Sequence, residues 1–262
     1  MSLKMNEITI LGAYGTKSKG FGTSAFYLDE KNVIDAGNLL SPLEAGCAKI
    51  ENVYLTHSHL DHICDIAYII DNYFSYRQKS LNIVGLPQTL QAIQDHFLNN
   101  QIWPDFSRIP LDNGEAMSIT YQEIECGVEY KIDEISSIEA FATDHTVPSC
   151  GYIYKKNGSA ILITADTYSL ESAIKLIDTR EEIRSVVLEC SFPCEMEPLA
   201  KESKHLTPKL LFEKLQRVKR DDFTLYINHI KPLYLEKIKE EIAQYRGKWE
   251  PNILKDKEIL TF

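Results

Sequence analysis

The 262-residue chain contains 44% hydrophobic and 25% charged residues, a composition typical of a folded protein with a large apolar core. Its 28 basic and 38 acidic residues give a net charge of −10, which disfavours nucleic-acid binding, because phosphate backbones are held by lysine and arginine. No apolar run reaches the ~20 residues of a membrane span. With no signal-peptide pattern, and with six cysteines that show no CxxC pair, we expect a cytoplasmic protein with free thiols.

The first half of the chain alternates short predicted strands with helices. Periodicity predicts strands at 7–11, 24–28, 32–34, 53–55 and 81–84, and helices at 62–77 and from Pro87 onward. The glycine-rich loop from Gly12 to Gly22 could cradle a phosphate, but its spacing is not that of a P-loop, and such glycines more often serve turns. The loop containing Trp103 and Phe106 could stack on a base or cover the core, and the sequence favours neither.

The second half is predicted to be β-rich at first and then to alternate again. The pattern predicts β structure over 117–143, a hairpin of strands 151–154 and 160–164, a helix at 169–178, strands at 185–188 and 223–227, and a last helix through 235–245. A further helix is expected to begin at Pro208, with Thr207 as its N-cap. No linker, repeat or low-complexity segment separates these elements, so we expect a single domain over residues 1–262.

The segment Thr56–His62 is the strongest candidate for a functional site. It contains three of the seven histidines and one aspartate, and it lies between a predicted strand and a predicted helix. His57 and His59 can converge on one cation, while Asp61 and His62 are offset toward a second position. Imidazole nitrogens and carboxylate oxygens suit a divalent metal such as zinc. The alternative, a polar turn with surface histidines, is disfavoured because so many of the histidines are concentrated here.

Potential metal ligands or proton carriers follow several other predicted strands. Five predicted strands end in such a residue: His57, His145, Asp166, Glu189 and His229. In layered α/β proteins the loops at the carboxyl ends of strands share one edge of the sheet, and functional sites gather there. A single histidine in such a position is more often structural, but five residues at one inferred edge favour a site.

These residues resemble the ligand series of the metallo-β-lactamase fold: His57, His59, Asp61, His62, His145, Asp166 and His229. The resemblance implies an α/β fold, an αββα sandwich with two mixed sheets flanked by helices, and a dinuclear metal site. It implies that His57, His59 and His145 hold one metal and that Asp61, His62 and His229 hold the other. It also implies that Asp166 bridges the two metals. We expect two divalent ions, with Zn²⁺ as the first choice and Mn²⁺ or iron as alternatives.

Within that superfamily the chain most resembles the class II cyclic-nucleotide phosphodiesterases. The segments that carry this resemblance are Val33-Ile-Asp-Ala-Gly37, His59-Leu-Asp-His-Ile63, Trp103-Pro104, Leu188-Glu-Cys-Ser-Phe-Pro193, His205-Leu-Thr-Pro208 and His229-Ile-Lys-Pro232. There are two departures. Cys64-Asp65 replaces a small-residue step, and Lys204 stands where a glycine usually precedes the histidine. The resemblance implies hydrolysis of a 3′,5′-cyclic nucleotide, cAMP or cGMP, to the 5′-monophosphate.

Catalytic roles follow from this interpretation. Two metals lower the pKa of a water molecule toward neutrality, and Asp61 would orient that water and take its proton. His205, oriented by Glu189, would donate a proton to a phosphate oxygen or to the leaving alkoxide. The alternative for His205 is a loop histidine near a helix cap. Ser149 and Thr207 are candidate substrate-binding residues.

Other functions are compatible with parts of the pattern. The tRNA 3′-processing nucleases share the fold and the arrangement of Glu189 and His205, but we find no counterpart of their long basic arm. Hydrolysis of another small phosphodiester is a further alternative. A redox or binding module is disfavoured because His59 is intact and all seven ligands are present. We therefore expect a small anionic phosphodiester as partner, no nucleic acid and no membrane, with homodimerisation left open.

Overall fold

The computed structural model describes residues 6–114 and 116–262, which form two seven-stranded β-sheets. The first sheet consists of β1 (Glu7–Gly12), β2 (Ala25–Tyr27), β3 (Asn32–Ile34), β4 (Asn52–Tyr54), β5 (Leu81–Gly85), β6 (Ile119–Glu123) and, from the end of the chain, β14 (Ile259–Thr261). The second consists of β7 (Glu129–Lys131), β8 (Ser136–Ala142), β9 (Cys150–Lys156), β10 (Ser159–Ile163), β11 (Ile183–Glu189), β12 (Thr224–Asn228) and β13 (Asn252–Ile253).

Seven α-helices lie in the same described ranges: α1 (Leu40–Leu43), α2 (Leu60–Asn72), α3 (Pro87–His96), α4 (Glu171–Thr179), α5 (Glu197–Glu202), α6 (Pro208–Leu215) and α7 (Leu235–Tyr245). No described helix has the length and apolar character that crossing a membrane requires. Thr207 caps α6 and Pro208 is its first residue, as the sequence predicts.

Each sheet is parallel over one half and antiparallel over the other. The first runs in the order β14-β1-β2-β3-β4-β5-β6 and is parallel from β3 to β6. The second runs β13-β12-β11-β10-β9-β8-β7 and is parallel from β13 to β10. Because parallel strands end at the same edge, the loops after β3, β4, β10, β11 and β12 are brought to that edge of their sheets.

Three apolar clusters hold the layers together. One lies between the sheets and includes Phe26 and Tyr152. A second joins the first sheet to α2 and α3, and a third joins the second sheet to α4, α6 and α7. Helices therefore cover both outer faces, which confirms the predicted αββα sandwich with two mixed sheets. The buried Tyr152 hydroxyl also donates to the carbonyl of Leu55 at 2.8 Å, so a polar contact links the sheets just before the histidine motif.

Most predicted elements are confirmed, but the helix predicted at 62–77 is wrong at both ends. It begins at Leu60, because His59 has extended backbone and forms the N-cap, and it ends at Asn72. A separate 3₁₀ turn, Phe74–Tyr76, follows it. The apolar Phe74 continues the helical spacing, yet it packs from this turn against Phe106, with ring centroids 6.1 Å apart. All six cysteines are free thiols, as expected.

The glycine-rich loop between β1 and β2 is held in place by Asp256, which precedes strand β14. Both carboxylate oxygens of Asp256 accept backbone N–H groups, from Ala13 at 2.9 Å and from Gly22 at 2.7 Å. A Cβ on Gly15 would lie only 2.7 Å from the Nδ1 atom of His229. The loop therefore needs glycine for its close approach to a predicted metal ligand.

The turn after β3 packs directly on the start of α2. The Ala36 N–H donates to the His62 carbonyl at 2.6 Å, and the Asp65 N–H donates to the Ala36 carbonyl at 2.9 Å. A Cβ on Gly37 would lie 1.9 Å from the Asp61 carbonyl oxygen, which no real contact allows. Only glycine fits this position without moving the helix that begins the motif.

Gly37→Ala is expected to lower the free energy of unfolding by about 3 kcal/mol or more, because the added methyl group overlaps the backbone of α2. Urea denaturation followed by circular dichroism measures the effect. Gly46→Ala is the matched control, since its Cβ would meet nothing closer than 3.7 Å. Equal stabilities of the two variants would contradict the packing described for Gly37.

Candidate active site

Four of the predicted ligands meet at the edge of the sheets. His57 and His59 lie in the loop after β4, His145 follows β8, and Asp166 follows β10. One potential ligand atom from each lies within 4.8 Å of the others. His145 Nε2 is 3.1 Å from His59 Nδ1, and His57 Nε2 is 3.6 Å from Asp166 Oδ2. The structure thus brings together the group that the family resemblance assigns to the first metal, with the residue it assigns as the bridge.

The second predicted group lies beside the first. Ligand atoms of Asp61, His62 and His229 are within 4.8 Å of one another. His229 Nε2 is 3.3 Å from His62 Nε2 and 3.4 Å from Asp61 Oδ2. It is also 3.2 Å from Asp166 Oδ1, while Asp166 Oδ2 points toward His57. Asp166 therefore lies between the two groups, where a bridging ligand would be.

Unpaired buried atoms at this cluster fit a divalent cation. His57 Nε2 and Asp166 Oδ1 are buried without a hydrogen-bond partner, although buried polar atoms are normally paired. Ring nitrogens of neighbouring histidines face each other at 3.1 and 3.3 Å, close enough for both rings of such a pair to bind one cation through their lone pairs. Converging lone pairs from nitrogen and carboxylate oxygen are the usual surroundings of zinc and similar metals.

Burial and mutual charge set the protonation of the cluster. Burial lowers the pKa of His57 and His59, and it lowers that of His145 to about 4, so these rings are neutral near pH 7, the state in which an imidazole can bind a cation. Burial also disfavours a charged His62, but the nearby carboxylates outweigh this effect and raise its pKa. The surrounding histidines hold the pKa of Asp166 well below its usual value despite its burial. Asp166 is therefore a carboxylate, as a bridging ligand must be.

Asp35 supports the site, and the sequence reasoning assigned it no role. Its Oδ2 lies 2.7 Å from His62 Nδ1, which leaves Nε2 of that ring facing the cluster. Its Oδ1 accepts from the Thr56 N–H at 2.9 Å and from the Thr56 hydroxyl at 3.0 Å. A carboxylate on the second ring nitrogen orients a metal-binding histidine and makes it more basic. The signal available in the sequence was an acidic residue directly after strand β3.

Glu189 and His205 form a buried pair next to the cluster. Glu189 Oε1 lies 2.9 Å from His205 Nδ1 and accepts the Thr167 N–H at 3.0 Å. Its Oε2 accepts the Ser191 hydroxyl at 3.0 Å and the Leu206 N–H at 3.3 Å. Burial opposes protonation of His205, but the Glu189 carboxylate outweighs it and raises the pKa of that ring. A ligand atom of His205 lies within 4.8 Å of ligand atoms of Asp166 and His229, so the pair adjoins the second group.

Ser191 is a second residue that the sequence reasoning missed. Its hydroxyl lies 2.9 Å from His229 Nδ1 and 3.2 Å from His205 Nδ1, and it is buried. One small side chain thus contacts a predicted ligand, the predicted acid and Glu189 together. Its position two residues after Glu189, in the same strand-end loop, was the available signal.

The two predicted substrate-binding hydroxyls make other contacts in this structure. The Ser149 hydroxyl pairs with that of Thr143 at 2.7 Å, and the buried Thr207 hydroxyl accepts from the Leu210 N–H at the start of α6. Their roles toward substrate stay predictions. Of the two aromatic residues left open, Phe106 is buried in the cluster of the first sheet and Trp103 packs against it, which favours the core-covering alternative.

Half of the eight described non-glycine residues with positive φ lie in the site loops. Four non-glycine residues there have a left-handed φ between 52° and 61°: Asp35, Ala165, Lys204 and His229. The Lys204 carbonyl also lies 3.3 Å from His145 Nδ1. Strained backbone of this kind persists where the surrounding contacts enforce it, and it is common at functional sites.

Comparisons with known proteins agree with this geometry. The chain is 39% identical over 61 residues to 3′,5′-cyclic-nucleotide phosphodiesterase 1 of Saccharomyces cerevisiae, covering 22% of this chain and 16% of that enzyme. It is 29% identical over 119 residues to ribonuclease Z of Thermococcus sibiricus, covering 45% of this chain and 33% of that enzyme. The chain thus spans at most a third of the length of either relative.

Solved structures extend the similarity to the whole fold. Unliganded yeast PDE1 matches with a TM-score of 0.76 at 20% identity, over 99% of this chain and 100% of that one. The metallo-β-lactamase fold protein YhfI of Bacillus subtilis matches with a TM-score of 0.76 at 17% identity, over 98% of each chain. At such identities the likeness shows the fold, which is therefore the predicted metallo-β-lactamase fold.

The family comparison covers nearly the whole sequence. The family described as cAMP phosphodiesterases class-II matches residues 16–260, a range that includes the motif loop, Asp166, the Glu189–His205 pair and His229. The chain belongs to the class II cAMP phosphodiesterase family.

Proposed function

We propose that the protein is a dinuclear-metal phosphodiesterase that hydrolyses 3′,5′-cyclic nucleotides to 5′-monophosphates. One observation carries this proposal: the seven predicted ligands meet in two adjacent groups around Asp166, beside a buried Glu189–His205 pair. Membership of the class II family supports the cyclic-nucleotide substrate. Hydrolysis of another small phosphodiester is the alternative on the same chemistry.

Two divalent cations are the proposed cofactors, with Zn²⁺ as the first choice. His57, His59 and His145 would hold one, Asp61, His62 and His229 the other, and Asp166 would lie between them. Bound cations of this kind activate water near neutral pH and neutralise phosphate oxygens as charge develops. The free cysteines fit a reducing compartment such as the cytoplasm. Homodimerisation stays a prediction.

Asp61 is the proposed acceptor of the proton of the attacking water. Burial disfavours its charged form, but His62 and His229 outweigh this effect and lower its pKa well below the usual value. It is therefore a carboxylate at neutral pH. Its side chain is 29% exposed, far more than the 2% of Asp166, so it can reach both the cluster and incoming water.

His205 is the proposed acid for the leaving 3′ oxygen. Its Nδ1 is engaged by Glu189 at 2.9 Å, which leaves Nε2 available to donate a proton. The raised pKa favours the protonated ring that an acid requires. Glu189 is bound by two backbone N–H groups and one hydroxyl besides the ring, so it orients His205 without moving.

A tRNA 3′-processing activity is the competing proposal. The similarity to ribonuclease Z over 45% of the chain supports it. The net charge of −10 disfavours it, because a protein that grips tRNA needs a basic surface to displace counterions. We therefore rank it below the cyclic-nucleotide reaction.

With Zn²⁺ bound, the protein is expected to convert cAMP to 5′-AMP, and Asp61→Ala is expected to reduce the rate by about 100-fold or more. Chromatographic analysis of products from cAMP, cGMP, bis-p-nitrophenyl phosphate and a tRNA precursor tests this. Cleavage of bis-p-nitrophenyl phosphate alone would support a phosphodiesterase but would reject cyclic nucleotides as its substrate. Cleavage of the tRNA precursor at comparable efficiency would favour the competing proposal.

His205→Ala is expected to keep both metals and to lose about 100-fold or more in kcat, because the leaving oxygen then departs without a proton. Metal content by mass spectrometry and steady-state kinetics measure the two effects separately. His96→Ala, an exposed histidine in α3, serves as the control and should match wild type. Unchanged turnover in His205→Ala would exclude the proposed role.

Asp35→Asn is expected to weaken metal binding about 10- to 100-fold, because an amide cannot give His62 the same charged acceptor on Nδ1. Competition with a chromogenic chelator gives the dissociation constants. The control is Asp71→Asn, an exposed aspartate of α2. Equal metal affinities of the two variants would show that Asp35 only shapes the loop.

A further inference from the structure

The residue before His205 has an unfavourable backbone conformation for its type. Lys204 has a φ of 52°, in the left-handed region where a side chain crowds the backbone and glycine is preferred. Its carbonyl lies 3.3 Å from Nδ1 of His145. A glycine would supply the same carbonyl with less strain, so the backbone contact does not explain a lysine here.

The lysine side chain makes an ion pair at the rim of the site. Its Nζ is 2.5 Å from Asp144 Oδ1, and the two side chains are 40% and 43% exposed. Ion pairs with this much solvent contact add little stability. Asp144 itself is fixed through its backbone, which donates to the Thr167 hydroxyl at 3.1 Å and accepts from the Tyr168 N–H at 2.9 Å. The pair therefore places a solvent-exposed ammonium group on an anchored carboxylate between two site loops.

The charges of the site indicate a role for the Lys204 ammonium group. Four carboxylates lie at the cluster and would offset the charge of two divalent cations: Asp35, Asp61, Asp166 and Glu189. The protonated His205 adds one positive charge, which it gives up to the leaving oxygen in the proposed reaction. A phosphodiester adds one further negative charge. A second lysine, Lys231, lies toward the glycine-rich loop, where its Nζ donates to the Gly15 carbonyl at 3.1 Å and lies 5.0 Å from the centre of the Phe192 ring.

We infer that Lys204 is a substrate-binding residue: its ammonium group leaves Asp144 and binds a phosphoryl oxygen of the phosphodiester. This inference rests on the proposed function only in taking a phosphodiester as the ligand. Lys204 adjoins His205 in the chain and contacts His145 through its carbonyl, so its long side chain starts between the proposed acid and a ligand of the first metal. Asp144 then competes with substrate for the same ammonium group.

The test compares charge removal with conservative changes at one position. Lys204→Met and Lys204→Gly are expected to raise KM for bis-p-nitrophenyl phosphate about three- to tenfold at low ionic strength, with kcat nearly unchanged. Lys204→Arg should restore the wild-type KM, and Asp144→Asn should lower it by freeing the lysine. Calorimetry with inorganic phosphate on the Zn²⁺-loaded protein should show matching changes in Kd without any turnover.

Lys201→Met is the matched control, an exposed lysine of α5 three residues away. Equal KM and Kd in wild type and Lys204→Met, or an equal rise in Lys201→Met, would overturn the inference. So would a fall in kcat at constant KM, which would assign Lys204 to holding His145. Because the generic diester and phosphate report on Lys204 even if cAMP is not hydrolysed, this inference and the proposed function can fail separately.

Discussion

The structure depends on the burial of negative charge at one edge of two sheets. Asp35, Asp166 and Glu189 are almost fully buried, and Asp61 lies beside them. Uncompensated buried charge is among the most costly features a fold can contain. Six histidines crowd the same space. Burial keeps the rings of the first group neutral, and the raised pKa values of His62 and His205 let these two rings offset only part of the negative charge. Divalent cations are the compensation that fits, so the demand for metal is built into the fold.

The topology explains how such a cluster can form at all. Parallel halves of both sheets deliver strand ends to one edge, and the ends of β3, β4, β10, β11 and β12 contribute a predicted ligand or its support. The loops then hold one another through polar contacts rather than apolar packing. Glu189 alone accepts from residues of two other loops, including the Thr167 N–H and the Leu206 N–H. These hydrogen bonds are buried, so a group that lost its partner could not bind water instead. A displacement of one loop is therefore expected to displace the others.

The ligands could be predicted because residue type and strand-end placement are both visible in the sequence. Asp35 and Ser191 were missed because their roles are contacts with rings 27 and 38 positions away, which no local pattern records. The end of α2 was misplaced because Phe74 keeps the helical spacing while the backbone changes to a 3₁₀ turn. The short strands β13 and β14 were missed for a related reason: two or three residues are too few to show a period.

The anchoring of the glycine-rich loop by Asp256 bears on the order of events during synthesis. Gly22 and Asp256 are 234 residues apart, so the loop that packs on His229 stays untethered until nearly all of the described chain has left the ribosome. Strand β1 likewise gains its β14 neighbour only at that stage. Contacts between such distant residues form late, because long loops must close first. A nascent chain therefore exposes its imidazoles before it can enclose them, and the loop that packs on His229 is anchored only after translation has passed residue 256.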